Sequence, residues 1–362
     1  MNPSSASAGP RLDPLATGPH YRPWIDGLRA LAMLLVLADH TNLFKVYPLG
    51  KVGVGVFFAI SGFLITGILM DERARTGAID LRRFYLRRLA RLAPGLLLVV
   101  AVGSIAFLLL GQRKPVLAGI FAATYTTNYA AVWFGQHLPG FGHAWSLAVE
   151  EHFYLIWPIA LLALMKLGLT RAMVVTLAIA LLDIAWRAVL VQRPGTELLL
   201  YVGTIERIDA ILYGCLAAMA ARRGWFAPAW FAAAGAVGLV VLMFFAGPYE
   251  ATYSSALYGI AGAALVAGLD AARITRTLLS ARPLVWMGLA SYSLYLWHLP
   301  VYQVLEALWG TALWTKGLAV ALTFALAALA YHAFEVPVRD WARRRIDAKP
   351  APATAATGLA SS

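Results

Sequence analysis

The chain has 362 residues, 60% hydrophobic and only 13% charged, with a mean hydropathy of +0.70, which excludes one or two ordinary soluble domains and makes the bilayer its solvent. A formal net charge of +12 invites a nucleic-acid reading, but the basic residues collect in loops on one side, as membrane insertion leaves them, so no nucleic-acid partner is expected. The single cysteine, Cys215, excludes an intrachain disulfide framework and leaves the redox compartment undecided.

Residues 1–23 are rich in Pro, Ser, Ala and Gly and lack the basic-then-apolar layout of a cleavable signal, so they read as a disordered cytoplasmic tail. Residues 346–362 read the same way, and 24–345 as one transmembrane domain. Its apolar stretches are 24–44, 52–70, 94–110, 116–134, 145–165, 172–191, 198–221, 226–246, 252–271, 284–308 and 313–335. An odd number of spans would put the chain ends on opposite faces, whereas the tail basic residues Arg339, Arg343, Arg344, Arg345 and Lys349 belong inside. The weakest stretch is 116–134, with TYTTNYA in its middle and a charged turn before it. Demoting it to a re-entrant or interfacial segment, tolerable at membrane depth only when protein surrounds it, predicts an all-α bundle of about ten transmembrane helices with both termini cytoplasmic. The outside then keeps Lys45, Lys51, Arg113, Lys114, Arg193 and Lys316. Arg29, Arg187 and Arg207 lie within spans, and the remaining 21 of 30 basic residues are inside.

This topology gives each intramembrane polar residue a depth. In WIDGLRALAMLLVLADH, Arg29 and His40 are eleven steps apart, which in a helix is about three turns: one face, about 16 Å of axis, half a bilayer's hydrocarbon thickness. Arg29 lies toward the cytoplasm and His40 toward the outside. Glu150 and Glu151, with His143 just before them, are expected near the outer surface, Arg207 and Asp209 at mid-depth or beyond, and His298 at a similar level. Charges in hydrocarbon cost several kcal/mol each unless they meet one another or water, so they are functional candidates by default. The bland alternative is that Arg207 with Asp209, or Arg29 with Asp26, only neutralise each other and tie helices together.

On the cytoplasmic side LRRFYLRRLARLAP interleaves Arg82, Arg83, Arg87, Arg88 and Arg91 with apolar residues, a pattern that suits anionic headgroups or a phosphate-rich ligand equally well. Gly53, Gly55 and Gly62 allow close helix packing and are no dinucleotide loop, since no strand precedes them. Ser61 lacks the glycine two residues before it that a nucleophile elbow needs. No HExxH or paired-cysteine spacing marks a metal site.

These blocks resemble the membrane-embedded acyltransferase-3 proteins, which O-acylate bacterial glycans, lipopolysaccharide sugars, peptidoglycan and some glycosylated antibiotics. The resemblance covers about residues 22–345. It rests on Arg29-x10-His40, GVGVFFAISGFLIT, FYLRRLARLAP, WSLAVEEHFYLIWP, ERID, SYSLYLWHLP and FEVP, in that order. The chain looks like the stand-alone form, without the extracytoplasmic hydrolase-like domain that some relatives carry. The resemblance implies a multi-pass protein of the bacterial inner membrane. It would move an acyl group, acetyl being expected, from cytoplasmic acyl-CoA to a hydroxyl of a carbohydrate or glycosylated acceptor, with no bound cofactor.

Acyl transfer to an alcohol needs a base for the hydroxyl proton and donors for the oxyanion. His40 is the expected base because imidazole titrates near working pH. Glu150 would orient it, Arg207 stabilise charge, and Asp209 hold the arginine. Arg29, Arg87, Arg88 and Arg91 would meet the acyl-CoA, and Trp145, Ser146 and His298 the acceptor. Direct transfer and a covalent acyl-histidine both remain open at this point. A proton-coupled transporter is the rival reading, since it too places buried charges near the midplane; no internal repeat or paired broken helix supports it.

Overall fold

The computed structural model describes residues 21–41, 48–244 and 250–347. Most of both expected tails, and the outer-loop residue Lys45, lie outside the described residues. Among the described residues the chain is helical and contains no strand. Sixteen α-helices follow one another. The first seven are α1 (Pro23–His40), α2 (Leu49–Thr76), α3 (Leu81–Leu109), α4 (Lys114–Ala123), α5 (Thr127–Phe134), α6 (Trp145–Met165) and α7 (Leu169–Leu190). The rest are α8 (Glu197–Val202), α9 (Ile208–Arg222), α10 (Ala229–Phe244), α11 (Glu250–Leu269), α12 (Arg273–Leu279), α13 (Arg282–Leu289), α14 (Ser291–Trp309), α15 (Leu313–Ala330) and α16 (Val336–Asp347).

Five helical segments are long and apolar enough to cross a membrane: α2, α3, α6 with the turn before it, α7, and α15 continued through α16. A sixth, α11 with α12, is bent by 100°. The protein is thus a multi-pass membrane protein. Every apolar stretch of the sequence carries a helix, but several are broken. The stretch 198–221 becomes α8, a 3-10 turn and α9, and 284–308 becomes α13 and α14, parted at Ala290. The segment 116–134 is split into α4 and α5 at Tyr125, a non-glycine residue with φ of +55°. Neither piece is long enough to cross a bilayer.

Local chemistry sets several helix ends. Pro23 opens α1 with its φ preset and Asp26 in the first turn. The Asp80 carboxylate caps α3 by accepting the Arg83 backbone N–H at 2.9 Å, and Gly77 closes α2 in the left-handed conformation. A π-turn over Tyr331–Glu335 precedes Pro337, which lacks an N–H and crowds the preceding turn. Tyr21 and Arg22, expected to end a tail, are tied to the bundle. The Tyr21 hydroxyl donates to Asp26 at 2.8 Å, and Arg22 pairs with Asp270 at 3.1 Å.

Helix α2 is the central post. Of its most apolar window 72% is buried within the protein, against 28–39% for the other spans. It packs on α1, α6, α9 and α11. The α2–α9 crossing is a reciprocal glycine contact. A Cβ on Gly62 would collide with the Ile211 carbonyl, and one on Gly214 with the Ala59 carbonyl. Small residues that let backbones touch are the main source of helix association in lipid, where apolar burial favours no partner.

Gly62→Val or Gly214→Val should therefore force α2 and α9 apart and destabilise by about 3 kcal/mol or more, the upper range for overpacking. Nothing lies within 4 Å of a Cβ placed on Gly67, so Gly67→Ala should be neutral or stabilise by up to about 1 kcal/mol. Thermal melting of the three detergent-purified variants separates these outcomes.

Candidate active site

Two groups of polar side chains meet between α1, α2, α6 and α14. The first lines a cavity of about 60 Å³. Arg29, Ser146, Glu150, Ser291, Tyr292 and Tyr295 form its polar wall, and Val54, Phe57, Phe58 and Leu147 its apolar wall. The helical repeat puts them there: Ser146 and Glu150 are four apart on α6, and Ser291 and Tyr295 four apart on α14. Ser61 Oγ donates to Glu150 Oε1 at 2.9 Å, and Arg29 Nη1 lies 3.6 Å from Asp26 Oδ1. The Tyr292 hydroxyl donates to the Leu92 carbonyl of α3 at 2.7 Å.

The second group is a histidine cluster adjoining this cavity through Tyr295. His40, the last residue of α1, has Nδ1 3.0 Å from Nε2 of His298. His298 Nδ1 is 2.6 Å from the Tyr295 carbonyl. His143, in the 3-10 turn before α6, sets its ring edge-on to His298 with centroids 4.8 Å apart. The Tyr295 hydroxyl lies 2.7 Å from both the His143 carbonyl and Ser146 Oγ. A phenol has one proton and a carbonyl can only accept, so Tyr295 donates to His143 and Ser146 donates to Tyr295. Among the described residues no group of three or more His, Cys, Asp or Glu is arranged to hold a metal ion.

Arg207 is buried beside these groups. Its guanidinium lies over the rings of Trp145 at 5.5 Å and Tyr201 at 5.2 Å, and its Nε has no hydrogen-bond partner among the described residues. Lys51 approaches the same Tyr201 ring at 5.6 Å, and His137 meets it edge-on at 5.7 Å.

Several expected partnerships are corrected by this geometry. Glu150 was expected to orient His40, but its carboxylate is bonded to Ser61 and faces the Arg29 cavity; the ring on His40 is His298, which was expected to touch the acceptor. Asp209 does not hold Arg207. Its carboxylate is taken by Arg187 Nη2 at 2.6 Å and by Ser255 Oγ at 2.8 Å, with Asp183 3.1 Å from the other Arg187 nitrogen, Nη1. Arg88 does not wait at an inner mouth for phosphate. It forms an ion pair with Glu151 and lies over the Tyr154 ring at 3.3 Å. This pair also corrects the depths, because Glu151 was placed near the outer surface and Arg88 in the cytoplasm. Arg87 is exposed and bonded to Asp347 at 2.5 Å, and Arg91 is exposed on the same helix.

The geometry brings Arg29 together with Glu150 and Ser146, His40 with His298, and Arg207 with Trp145. Sequence reasoning missed His143, Tyr295 and Ser61 as members of the site. The available signal was three of the seven histidines, His40, His137 and His143, falling at a helix end or in a loop on one expected face.

The Acyltransferase domain family matches residues 22–332. The chain belongs to this family. Two relatives calibrate the likeness. The peptidoglycan O-acetyltransferase OatA of Listeria monocytogenes is 33% identical over 357 aligned residues, covering 88% of this chain and 56% of that protein. The O-acetyltransferase OatA of Staphylococcus aureus is 30% identical over 351, covering 89% and 58%. The chain thus spans little more than half the length of these relatives. No solved structure matches it. Three of the sequence blocks on which the resemblance rests place residues on the cavity or the histidine cluster: Arg29 and His40 from one, Ser146 and Glu150 from another, Tyr295 and His298 from a third.

The two buried arginines should respond differently to loss of charge. Arg187 is fully buried between two aspartates, so Arg187→Leu should cost about 3–5 kcal/mol by stranding them. Arg207 has no carboxylate in ion-pair reach among the described residues, so Arg207→Leu should cost at most about 2 kcal/mol of cation–π contact. Melting of the two variants beside the wild type checks both.

Proposed function

We propose that this protein is a transmembrane O-acetyltransferase that moves an acetyl group from cytoplasmic acetyl-CoA to a hydroxyl of a cell-wall glycan of the peptidoglycan class. Supporting this reading is one observation above all: α1 carries Arg29 to a polar cavity and His40, on the same face, to a histidine pair at that cavity's edge. The acceptor class follows from the relatives, whose names specify peptidoglycan or O-acetyl transfer.

In this reading the chain crosses the bacterial inner membrane ten times, through α1, α2, α3, α6, α7, α9, α10, α11, α14 and α15, with α4 and α5 dipping in without crossing and both termini cytoplasmic. Helices α1 and α14 are more polar than the long spans because they carry Arg29, His40 and His298, and α9 has only 15 residues. The acyl-CoA enters from the cytoplasm, its phosphates near Arg87 and Arg91 and its thioester arm passing Arg29. His40 takes the acceptor's hydroxyl proton as the oxygen attacks the thioester carbonyl. Arg207, a cation with no carboxylate in ion-pair reach among the described residues, stabilises the oxyanion. As the C–S bond breaks, the proton passes to the CoA thiolate, leaving the O-acetyl ester and free CoA thiol. The buried charges that allowed a transporter reading are largely accounted for within the fold, Arg187 by Asp183 and Asp209, and Arg88 by Glu151.

His40→Ala should lower turnover by roughly two to four orders of magnitude with acetyl-CoA affinity nearly unchanged. Arg29→Ala should weaken acetyl-CoA binding, and Arg29→Lys should recover only part, because the planar fork is lost. Turnover and affinity in nanodiscs test both, and a His40→Ala protein turning over at the wild-type rate would falsify the assignment. For topology, an epitope inserted at residue 247 should be labelled from outside intact cells and one after Lys349 should not. Outside access to the second means that the 116–134 segment crosses.

A further inference from the structure

We propose that His298 is a positioning residue that fixes the tautomer of His40, leaving the Nε2 of His40 unprotonated and free to act as the base. The proposal rests on the reading of His40 as that base. It follows from counting protons along one hydrogen-bonded line. A backbone carbonyl can only accept, so the 2.6 Å contact from His298 Nδ1 to the Tyr295 carbonyl places a proton on Nδ1. In the neutral ring Nε2 of His298 is then a lone pair. The 3.0 Å contact to His40 Nδ1 is therefore donated by His40. Once Nδ1 of His40 holds its proton, Nε2 has none.

The other proton placement makes His298 an imidazolium donating at both nitrogens. That charge would sit on a residue 1% exposed, against the rings of His143 and Tyr295, with no carboxylate in hydrogen-bond reach among the described residues. The surroundings also hold the line rigid. Tyr295 supplies the carbonyl, and its own ring is pinned by the bonds of its hydroxyl to Ser146 and the His143 carbonyl. When His40 takes the acceptor's proton on Nε2, its Nδ1–H still points at the His298 lone pair, so the developing cation keeps an acceptor. A neutral histidine here does what a carboxylate does for the histidine of a catalytic triad, setting the tautomer and orientation without itself exchanging protons.

The test begins with 15N NMR of histidine-labelled protein in nanodiscs, with the His40 signals assigned by their loss in His40→Gln. Expected is an Nδ1-protonated, Nε2-unprotonated His40; an Nε2-protonated His40 overturns the proposal. This readout needs no turnover, so a chain that transfers no acetyl from acetyl-CoA sinks the proposed function and leaves the tautomer decided on its own. Kinetics give the second arm. His298→Leu should lower kcat by roughly two to four orders of magnitude, leave the KM for donor and acceptor within about twofold, and erase the tautomer signature. His298→Gln, whose side-chain carbonyl can accept from His40 Nδ1–H, should restore part of the rate. A His298→Leu protein with a raised acceptor KM and unchanged kcat makes His298 an acceptor contact and overturns the positioning role.

Discussion

The backbone contact between α2 and α9 at Gly62 and Gly214 sets how closely these two helices approach, and α2 in turn packs on α1 and α6, which carry most of the site residues. A bilayer gives apolar side chains little reason to prefer protein over lipid, so close packing and interhelical hydrogen bonds must decide which helix lies beside which. With α2 enclosed, α1 can lie along one side of it and α6 along another. Ser61, one residue before Gly62, then reaches Glu150 of α6. The same packing holds α1 where Arg29 faces the cavity and His40 faces α14.

Buried charge is divided between two uses. Arg187, Asp183 and Asp209 answer one another, with Ser255 and the Glu206 carbonyl taking further hydrogen bonds, and they lock α7, α9 and α11 together. Such a group adds little net stability over an apolar replacement, but removing one member strands the rest. Arg88 with Glu151 joins α3 to α6 in the same manner, reinforced by the Tyr85 hydroxyl donating to the Leu155 carbonyl at 2.7 Å. Arg207 differs because its guanidinium lies over the Trp145 and Tyr201 rings, with no carboxylate in ion-pair reach among the described residues. A guanidinium held by ring quadrupoles is desolvated yet not neutralised, which in the proposed reaction suits it to the negative charge of the oxyanion.

Much of this was legible in the chain. Apolar runs located the helices because a span must satisfy its own backbone in lipid, and the polar centre of 116–134 marked the segment that breaks at Tyr125. The eleven-residue interval put Arg29 and His40 on one face whatever surrounds α1. The glycines of GVGVFFAISG are packing positions, as their spacing in an apolar helix implies: a Cβ would collide at Gly53 with α1, at Gly55 with α11 and at Gly62 with α9.

Only the tertiary structure decided the partners. His40 meets His298 rather than Glu150, Asp209 meets Arg187 rather than Arg207, and Arg88 meets Glu151. The physical reason lies in the solvent. A soluble helix shows its buried face by where its polar residues are absent, whereas helices such as α7, α9 and α11 are apolar nearly all the way round, so the rotation that aims a side chain at its neighbour leaves little periodic trace. Helix order in space, set by contacts of small residues far apart in the chain, supplies what that pattern lacks.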